Sequence, residues 1–182
     1  VASSTAADSA LPCAGYCAHG THVAGIAVGG PRTSDGSYGV ARDGSVIAIQ
    51  VFSLFPNYNG TGQGAVLSYS SDQIKGLERV YALRSTHNIA SVNMSLGGGR
   101  YYANCDSTEA SRKLAIDNLR SAGIATVIAA GNNGYRDSIS TPRCISSAIS
   151  VAATCDAADA GTCATGVNGI ASYSNVASFV SL

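Results

Sequence analysis

The sequence has no tryptophan and little charge. Charged residues make up 12% of the 182 residues, and 11 Lys and Arg balance 11 Asp and Glu. Binding to nucleic acid or to anionic lipid needs concentrated positive charge, so we expect neither partner. No run approaches the roughly 18 apolar residues of a membrane-spanning helix, since the longest candidate covers only 124–130, and we expect no membrane association. We do not expect Val1 to begin a signal peptide, because a basic segment followed by an apolar core is missing.

The 21 glycines and six cysteines stand out against this background. An even number of cysteines without a Cys-x-x-Cys pair favours disulfides over zinc ligation, and therefore an oxidising, extracellular location. Six cysteines allow about 15 pairings, and the sequence does not choose among them. The pairing we expect is Cys13 with Cys17, Cys105 with Cys144, and Cys155 with Cys163. The length suits one domain over 1–182.

Apolar runs of strand length alternate with segments of helical period from Gly44 onward, which predicts an α/β fold with a parallel sheet. A helix is predicted from Asp106 to Gly123, with Asp106 and Glu109 as a capping box and an apolar stripe at Ala110, Leu114, Ala115 and Leu119. Another helix is predicted over 72–85, strands over 45–52, 88–95, 124–130 and 148–153, and short strands over 169–173 and 177–182. Ligands of such sheets bind beyond the carboxyl ends of the strands. Two glycine-rich loops, 95–99 and 131–134, follow strands there.

Two short motifs carry chemistry. His19 begins the run His-Gly-Thr-His-Val-Ala-Gly at the start of a predicted helix, and a histidine titrating near neutrality suits a general base. A single histidine would otherwise be interpreted as a surface or core residue. Asn132 lies in Gly-Asn-Asn-Gly after a predicted strand. Its carboxamide suits an oxyanion donor, although the same four residues are also typical of a plain turn.

Four segments together resemble the subtilisin family of serine endopeptidases. His19 to Gly25 resembles the signature around the family's catalytic histidine, and 38–51, 93–98 and 129–134 resemble its following strand, substrate-binding strand and oxyanion loop. Order and spacing agree, and the resemblance covers nearly the whole chain. It implies a subtilisin-like fold, a parallel β-sheet flanked by helices on both faces and truncated at both ends, in a secreted protease.

The resemblance also assigns roles to individual residues. His19 is the implied general base, Asn132 the implied oxyanion donor, and both are expected to converge on one peptide carbonyl. His22 is expected to be a packed helix residue. An extended peptide is expected to bind between two segments and the oxyanion loop, at Ser95, Leu96, Gly97, Gly60, Thr61, Gly62, Ala130 and Gly131. A dinucleotide loop at 60–64 is disfavoured, because the last glycine and the acidic partner of that motif are missing.

The sequence departs from the family at two points. Neither the Asp-Thr-Gly or Asp-Ser-Gly motif of the catalytic aspartate nor the Gly-Thr-Ser-Met-Ala motif of the nucleophile is present, so we expect the chain alone to be inactive. A noncatalytic subtilisin-like module that binds peptides, and an unrelated α/β binding domain, remain as alternatives. The implied partners are a peptide or protein substrate and the protein's own propeptide. No cofactor is implied for catalysis, and the structural calcium of many family members has no acidic cluster to locate it.

Overall fold

The computed structural model describes residues 18–31, 36–157, 161–164 and 166–179. The chain divides into two compact units, one ending at Gly76 and the other beginning at Leu77. The single domain over 1–182 stays a prediction. The expected pairing of Cys13 with Cys17 lies outside the described residues.

The described part of the first unit starts with helix α1, His19–Val28, which begins at the histidine as predicted. The carbonyls of its last turn accept hydrogen bonds from the segment that follows, with Val40 N–H to Ile26 O at 2.9 Å. Such bonds satisfy acceptors that have no partner inside a helix. Gly39 makes the close approach feasible, because a β-carbon there would overlap the backbone of Val28.

A short antiparallel pair follows, formed by β1, Ser53–Phe55, and β2, Ala65–Leu67. The buried strand predicted over 45–52 is wrong: these residues form no ladder, and Val46 and Ile47 are 56% and 44% exposed. Apolar, β-branched composition favours a strand only where a neighbouring strand can pair with the backbone. The described part of the first unit offers this segment no such partner.

Helix α2, Ser70–Leu83, confirms the helix predicted over 72–85, with a shift of two residues at each end. Asp72 lies in the first turn, where a negative carboxylate interacts favourably with the helix dipole. The buried side chains Gln73, Leu77 and Val80 follow helical spacing. Among the described residues, no helix has the length and apolar character needed to cross a membrane.

The second unit is built on a parallel sheet of β3, Ser91–Met94, β5, Ala125–Ala129, and β7, Ile149–Val151, in the order β3-β5-β7. Helix α3, Ala110–Ser121, packs against β5. The predicted α/β class and parallel pairing are therefore confirmed, with strands shorter than predicted.

The buried face of α3 consists of Arg112, Ala115, Ile116 and Leu119. Leu114, predicted to lie on the apolar stripe, is 61% exposed. Ala115 and Leu119 of the predicted stripe are buried, whereas Ala110 is exposed like Leu114. The buried face is centred nearer Ile116, because positions 112, 115, 116 and 119 also have helical spacing.

The predicted capping box is wrong. Glu109 occupies the cap position without a side-chain cap bond, and Asp106 lies in the preceding turn. Its carboxylate accepts hydrogen bonds from the Ser146 N–H at 2.9 Å and hydroxyl at 2.6 Å. The Asp106 carboxylate therefore binds a loop distant in the sequence, and not the first turn of α3 as its spacing from Glu109 predicts. Gly123 ends α3 with φ +77°, as predicted.

A second antiparallel pair was not predicted. It joins β4, Gly98–Tyr101, to β6, Ile139–Thr141. The predicted short strands over 169–173 and 177–182 do not form in the described part of those segments, apart from one isolated bridge between Ile170 and Thr154.

Two expected disulfides are present. Cys105 and Cys144, with Cα atoms 5.3 Å apart, form the long-loop disulfide, and Cys155 and Cys163, at 5.7 Å, form the short-loop disulfide. All four cysteines are buried.

Candidate active site

A cleft of ≈ 220 Å³ opens where the three parallel strands end. Because carboxyl ends of parallel strands meet at one edge, residues far apart in the sequence come together there. The lining is uncharged and consists mainly of small side chains: Asn93, Ser95, 127–132, 151–153 and Ser174.

The end of β3 supplies one wall. Asn93 Nδ2 donates to Ser95 Oγ at 3.0 Å, and Leu96 N–H donates to Met94 O at 2.9 Å, which turns the chain immediately after the strand. Gly97 then lies against β6, where a β-carbon would be 3.1 Å from Ser140 Cβ. The predicted binding segment Ser95 to Gly97 thus begins at the cleft, and Ser95 lines it.

The end of β5 leads into residues 130–135, which we call the oxyanion loop after the family segment that 129–134 resembles, and whose role stays a prediction. Ala130 continues the ladder, with its N–H donating to Val151 O at 2.9 Å. Gly131 follows with φ +106°, a backbone conformation that glycine adopts more readily than other residues. Ala130, Gly131 and Asn132 all line the cleft, and Asn132 is exposed. A carboxamide held there can donate a hydrogen bond to an oxygen bound in the cleft.

Asn175, which the sequence reasoning missed, is fully buried behind this loop at 0% exposure. Its Oδ1 accepts from the backbone N–H groups of Asn133 and Tyr135, both at 3.0 Å. Its Nδ2 donates to Ala130 O at 3.2 Å and Ser140 Oγ at 3.3 Å. No periodicity, capping pattern or glycine marks position 175. An alignment of relatives would be the signal needed to find it.

The two histidines of α1 belong to the first unit. His19 is exposed on the first residue of the helix, where its imidazole can meet a reactant. His22 is also exposed, so its expected packing is wrong; α1 buries none of its residues within this structure. Since His19 and Asn132 lie in different units, their convergence on one carbonyl stays a prediction.

The predicted binding segment Gly60 to Gly62 also belongs to the first unit and lies in the exposed turn between β1 and β2. Gly62 N–H donates to Asn57 Oδ1 at 2.7 Å, and the Thr61 hydroxyl donates to Tyr58 O at 2.9 Å. Gly60 and Gly62 have φ +70° and +73°, which glycine adopts without strain.

Charge in this region of the second unit lies beside the cleft rather than in it. Arg100 pairs with Asp137 at 2.9 Å and lies over the ring of Tyr135, 4.1 Å from its centroid. Hydrogen bonds from Ser138 and Arg100 lower the pKa of Asp137. Among the described residues no group of three or more His, Cys, Asp and Glu side chains is arranged to hold a metal ion.

The subtilase family model matches residues 4–181. The chain therefore belongs to the subtilase family, which confirms the resemblance read from its four motifs.

The chain is 36% identical over 167 residues to proteinase T of Parengyodontium album, covering 90% of this chain and 45% of that protein. It is 32% identical over 136 residues to alkaline protease 1 of Aspergillus clavatus, covering 75% and 28%. Among solved structures, sphericase aligns with a TM-score of 0.63 at 30% identity and the S41 psychrophilic protease with 0.62 at 29%, each covering 86% of this chain and 44% of that chain. The chain thus spans less than half the length of each of these relatives.

Proposed function

We propose that this chain is the central part of the catalytic domain of a secreted serine endopeptidase that hydrolyses peptide or protein substrates with a Ser/His/Asp triad. The observation that supports it best is the cleft at the ends of β3, β5 and β7, where Asn132 follows the middle strand in a member of the subtilase family. The two disulfides favour an oxidising, extracellular location.

His19 is the proposed general base. It takes the proton of the nucleophilic serine as the serine attacks the peptide carbonyl, and it returns a proton to the leaving amine. Its exposed position at the first residue of α1 is compatible with proton exchange with a substrate group.

Asn132 is the proposed oxyanion donor. As the carbonyl becomes tetrahedral, its oxygen gains negative charge, and a prepositioned N–H stabilises that charge more than it stabilises the ground state. Such a donor contributes roughly 10²- to 10³-fold to the rate, a range measured on a subtilisin rather than worked out from this structure.

Backbone pairing is the proposed mode of substrate binding. Ser95, Leu96 and Gly97 on one side and Gly60, Thr61 and Gly62 on the other would add an extended peptide as a strand. Ala130 and Gly131 would form the wall beside the reacting carbonyl. Proton transfer and hydrogen bonding suffice for this chemistry, so no catalytic cofactor is proposed.

The test compares the full-length protein with the 182-residue chain. A fluorophosphonate probe should label one serine in the full-length protein and none in the chain, because no segment of the chain matches the nucleophile motif. In the full-length protein His19→Ala should reduce kcat by a factor on the order of 10⁶, as triad histidines do. His22→Ala is the matched control, since His22 is also exposed on the same helix and has no proposed role, so the variant should leave kcat unchanged.

Asn132→Ala should lower kcat by about 10²- to 10³-fold with little change in KM. Full activity in His19→Ala, or labelling of a serine in the 182-residue chain, would contradict the assignment. A full-length protein that binds peptides but neither reacts with the probe nor hydrolyses substrate would instead be a noncatalytic peptide-binding module.

A further inference from the structure

The segment containing Asn175 runs alongside the oxyanion loop and pairs with it. Asn175 N–H donates to Gly131 O at 2.9 Å, and Gly134 N–H donates to Tyr173 O at 2.7 Å. Neither segment belongs to the three-stranded sheet, so the loop obtains these bonds from a stretch of chain about forty residues downstream.

The side-chain bonds of Asn175 reach the backbone on both sides of Asn132. Its Nδ2 bond to Ala130 O fixes the chain before Asn132, and its Oδ1 bond to Asn133 N–H fixes the chain directly after it. The amide orientation is determined by these partners, because a backbone N–H only donates and a backbone carbonyl only accepts.

Only asparagine meets all of these requirements at this position. Aspartate has the same shape, but its carboxylate cannot donate to Ala130 O and would be a charge at a site with 0% exposure. Glutamine has the same groups on a stem one methylene longer, which a closely packed interior does not accommodate. A β-carbon at Gly131 would overlap Asn175 Nδ2, so the two residues are in direct contact.

We propose that Asn175 is a positioning residue for oxyanion stabilisation: it holds the backbone on both sides of Asn132 and thereby sets the direction of that carboxamide. The inference rests on the proposed function. A hydrogen-bond donor stabilises a transition state only when it is held within about 0.5 Å of its productive position. Buried bonds from a neutral amide can provide that constraint without adding charge to the cleft.

The test is Asn175→Asp in the full-length protein, assayed on a short peptide amide. We expect kcat to fall about 10- to 100-fold with KM within about threefold, because binding persists while stabilisation of the oxyanion is lost. Ile116→Ala is the control for general destabilisation: Ile116 is buried in α3, so the variant should lower Tm and leave kcat of the folded protein within about twofold. If Asn175→Asp does not accumulate as folded protein, Asn175→Ser, which is uncharged, carries the same test.

A double-mutant cycle with Asn132→Ala separates positioning from a structural role. If Asn175 acts through Asn132, adding Asn175→Asp to Asn132→Ala should lower kcat by no more than about threefold further. Unchanged kcat in Asn175→Asp, or a full 10- to 100-fold loss in the Asn132→Ala background, would overturn the inference. An inactive wild-type protein would overturn the proposed function and the inference with it. If the wild type is active and Asn132→Ala is impaired, the proposed function stands, and an unexpected result with Asn175→Asp then contradicts only the role of Asn175.

Discussion

Replacing Gly131 by alanine should destabilise the protein more than its backbone conformation alone explains. Gly131 has φ +106°, and Gly123, at the end of α3, has φ +77°. An L-residue with positive φ costs about 1–2 kcal/mol, so Gly→Ala at either position carries that strain. The two sites differ in surroundings, since a β-carbon at Gly123 meets nothing within 4 Å, whereas one at Gly131 overlaps both Asn175 Nδ2 and Ser140 Oγ.

The additional cost at Gly131 follows from how little its neighbours can move. Asn175 and Ser140 are 0% and 2% exposed and hydrogen-bonded to each other at 3.3 Å, so neither can turn toward solvent. Overpacking of this kind costs about 1–3 kcal/mol. We therefore expect Gly131→Ala to lower the free energy of unfolding by about 2–5 kcal/mol, and Gly123→Ala by about 1–2 kcal/mol.

Urea unfolding of the full-length protein, followed by circular dichroism, measures both values. Equal m-values would show that the variants unfold from comparable native states to comparable denatured states. Gly131→Ala should also lower kcat, whereas Gly123→Ala should not. The reasoning is refuted if the two variants lose the same stability within about 0.5 kcal/mol, because the contact with Asn175 and Ser140 would then have no measurable cost.

Two further predictions concern stability. Replacing both cysteines of the long-loop disulfide by alanine should lower the free energy of unfolding by about 4 kcal/mol, and replacing those of the short-loop disulfide should lower it by about 2.5 kcal/mol. The difference arises because the longer sequence separation, 39 residues against 8, constrains the unfolded chain more. Urea midpoints in the reverse order would contradict this chain-entropy explanation. The hydrogen bond from Lys113 lowers the pKa of Asp117, so the stabilising contribution of Asp117 is present above the unfolded pKa of about 3.9 and is lost as pH falls through the lower folded value. Asp117→Asn should therefore lower the free energy of unfolding at neutral pH by roughly 0.3–0.5 kcal/mol, as expected for an exposed ion pair. If the difference in free energy of unfolding between wild type and variant stayed constant down to pH 2, the link between the Asp117 pKa and stability would be refuted.

The elements that the sequence predicts correctly are those specified by local pattern. Helices α2 and α3 follow helical spacing of apolar residues, and β5 follows an apolar run bounded by Gly123 and Gly131. The segment 45–52 has equally good strand composition and forms no ladder. Amino-acid composition indicates only whether one segment suits a strand, whereas a ladder also requires a second strand that pairs with its backbone.

The same limit applies to the candidate site. Asn132 and Ser95 were found because each follows a strand in a recognisable motif, and the structure brings both to one cleft. Asn175 was missed because its role depends entirely on partners in other segments, 40 and 42 residues away for its two backbone donors. Asp106 shows the converse error, since its spacing from Glu109 suggested a local bond and its carboxylate binds Ser146 instead.

The distance between Asn133 and Asn175 also sets an order of events while the protein is being made. Residue 175 leaves the ribosome 42 residues after residue 133. At about 5–20 residues per second the growing chain therefore carries Asn132 for roughly 2–8 s before the segment that braces it exists. Through that interval the N–H groups of Asn133 and Tyr135 lack their native acceptor, so a nascent polypeptide cannot yet present the carboxamide in its final direction.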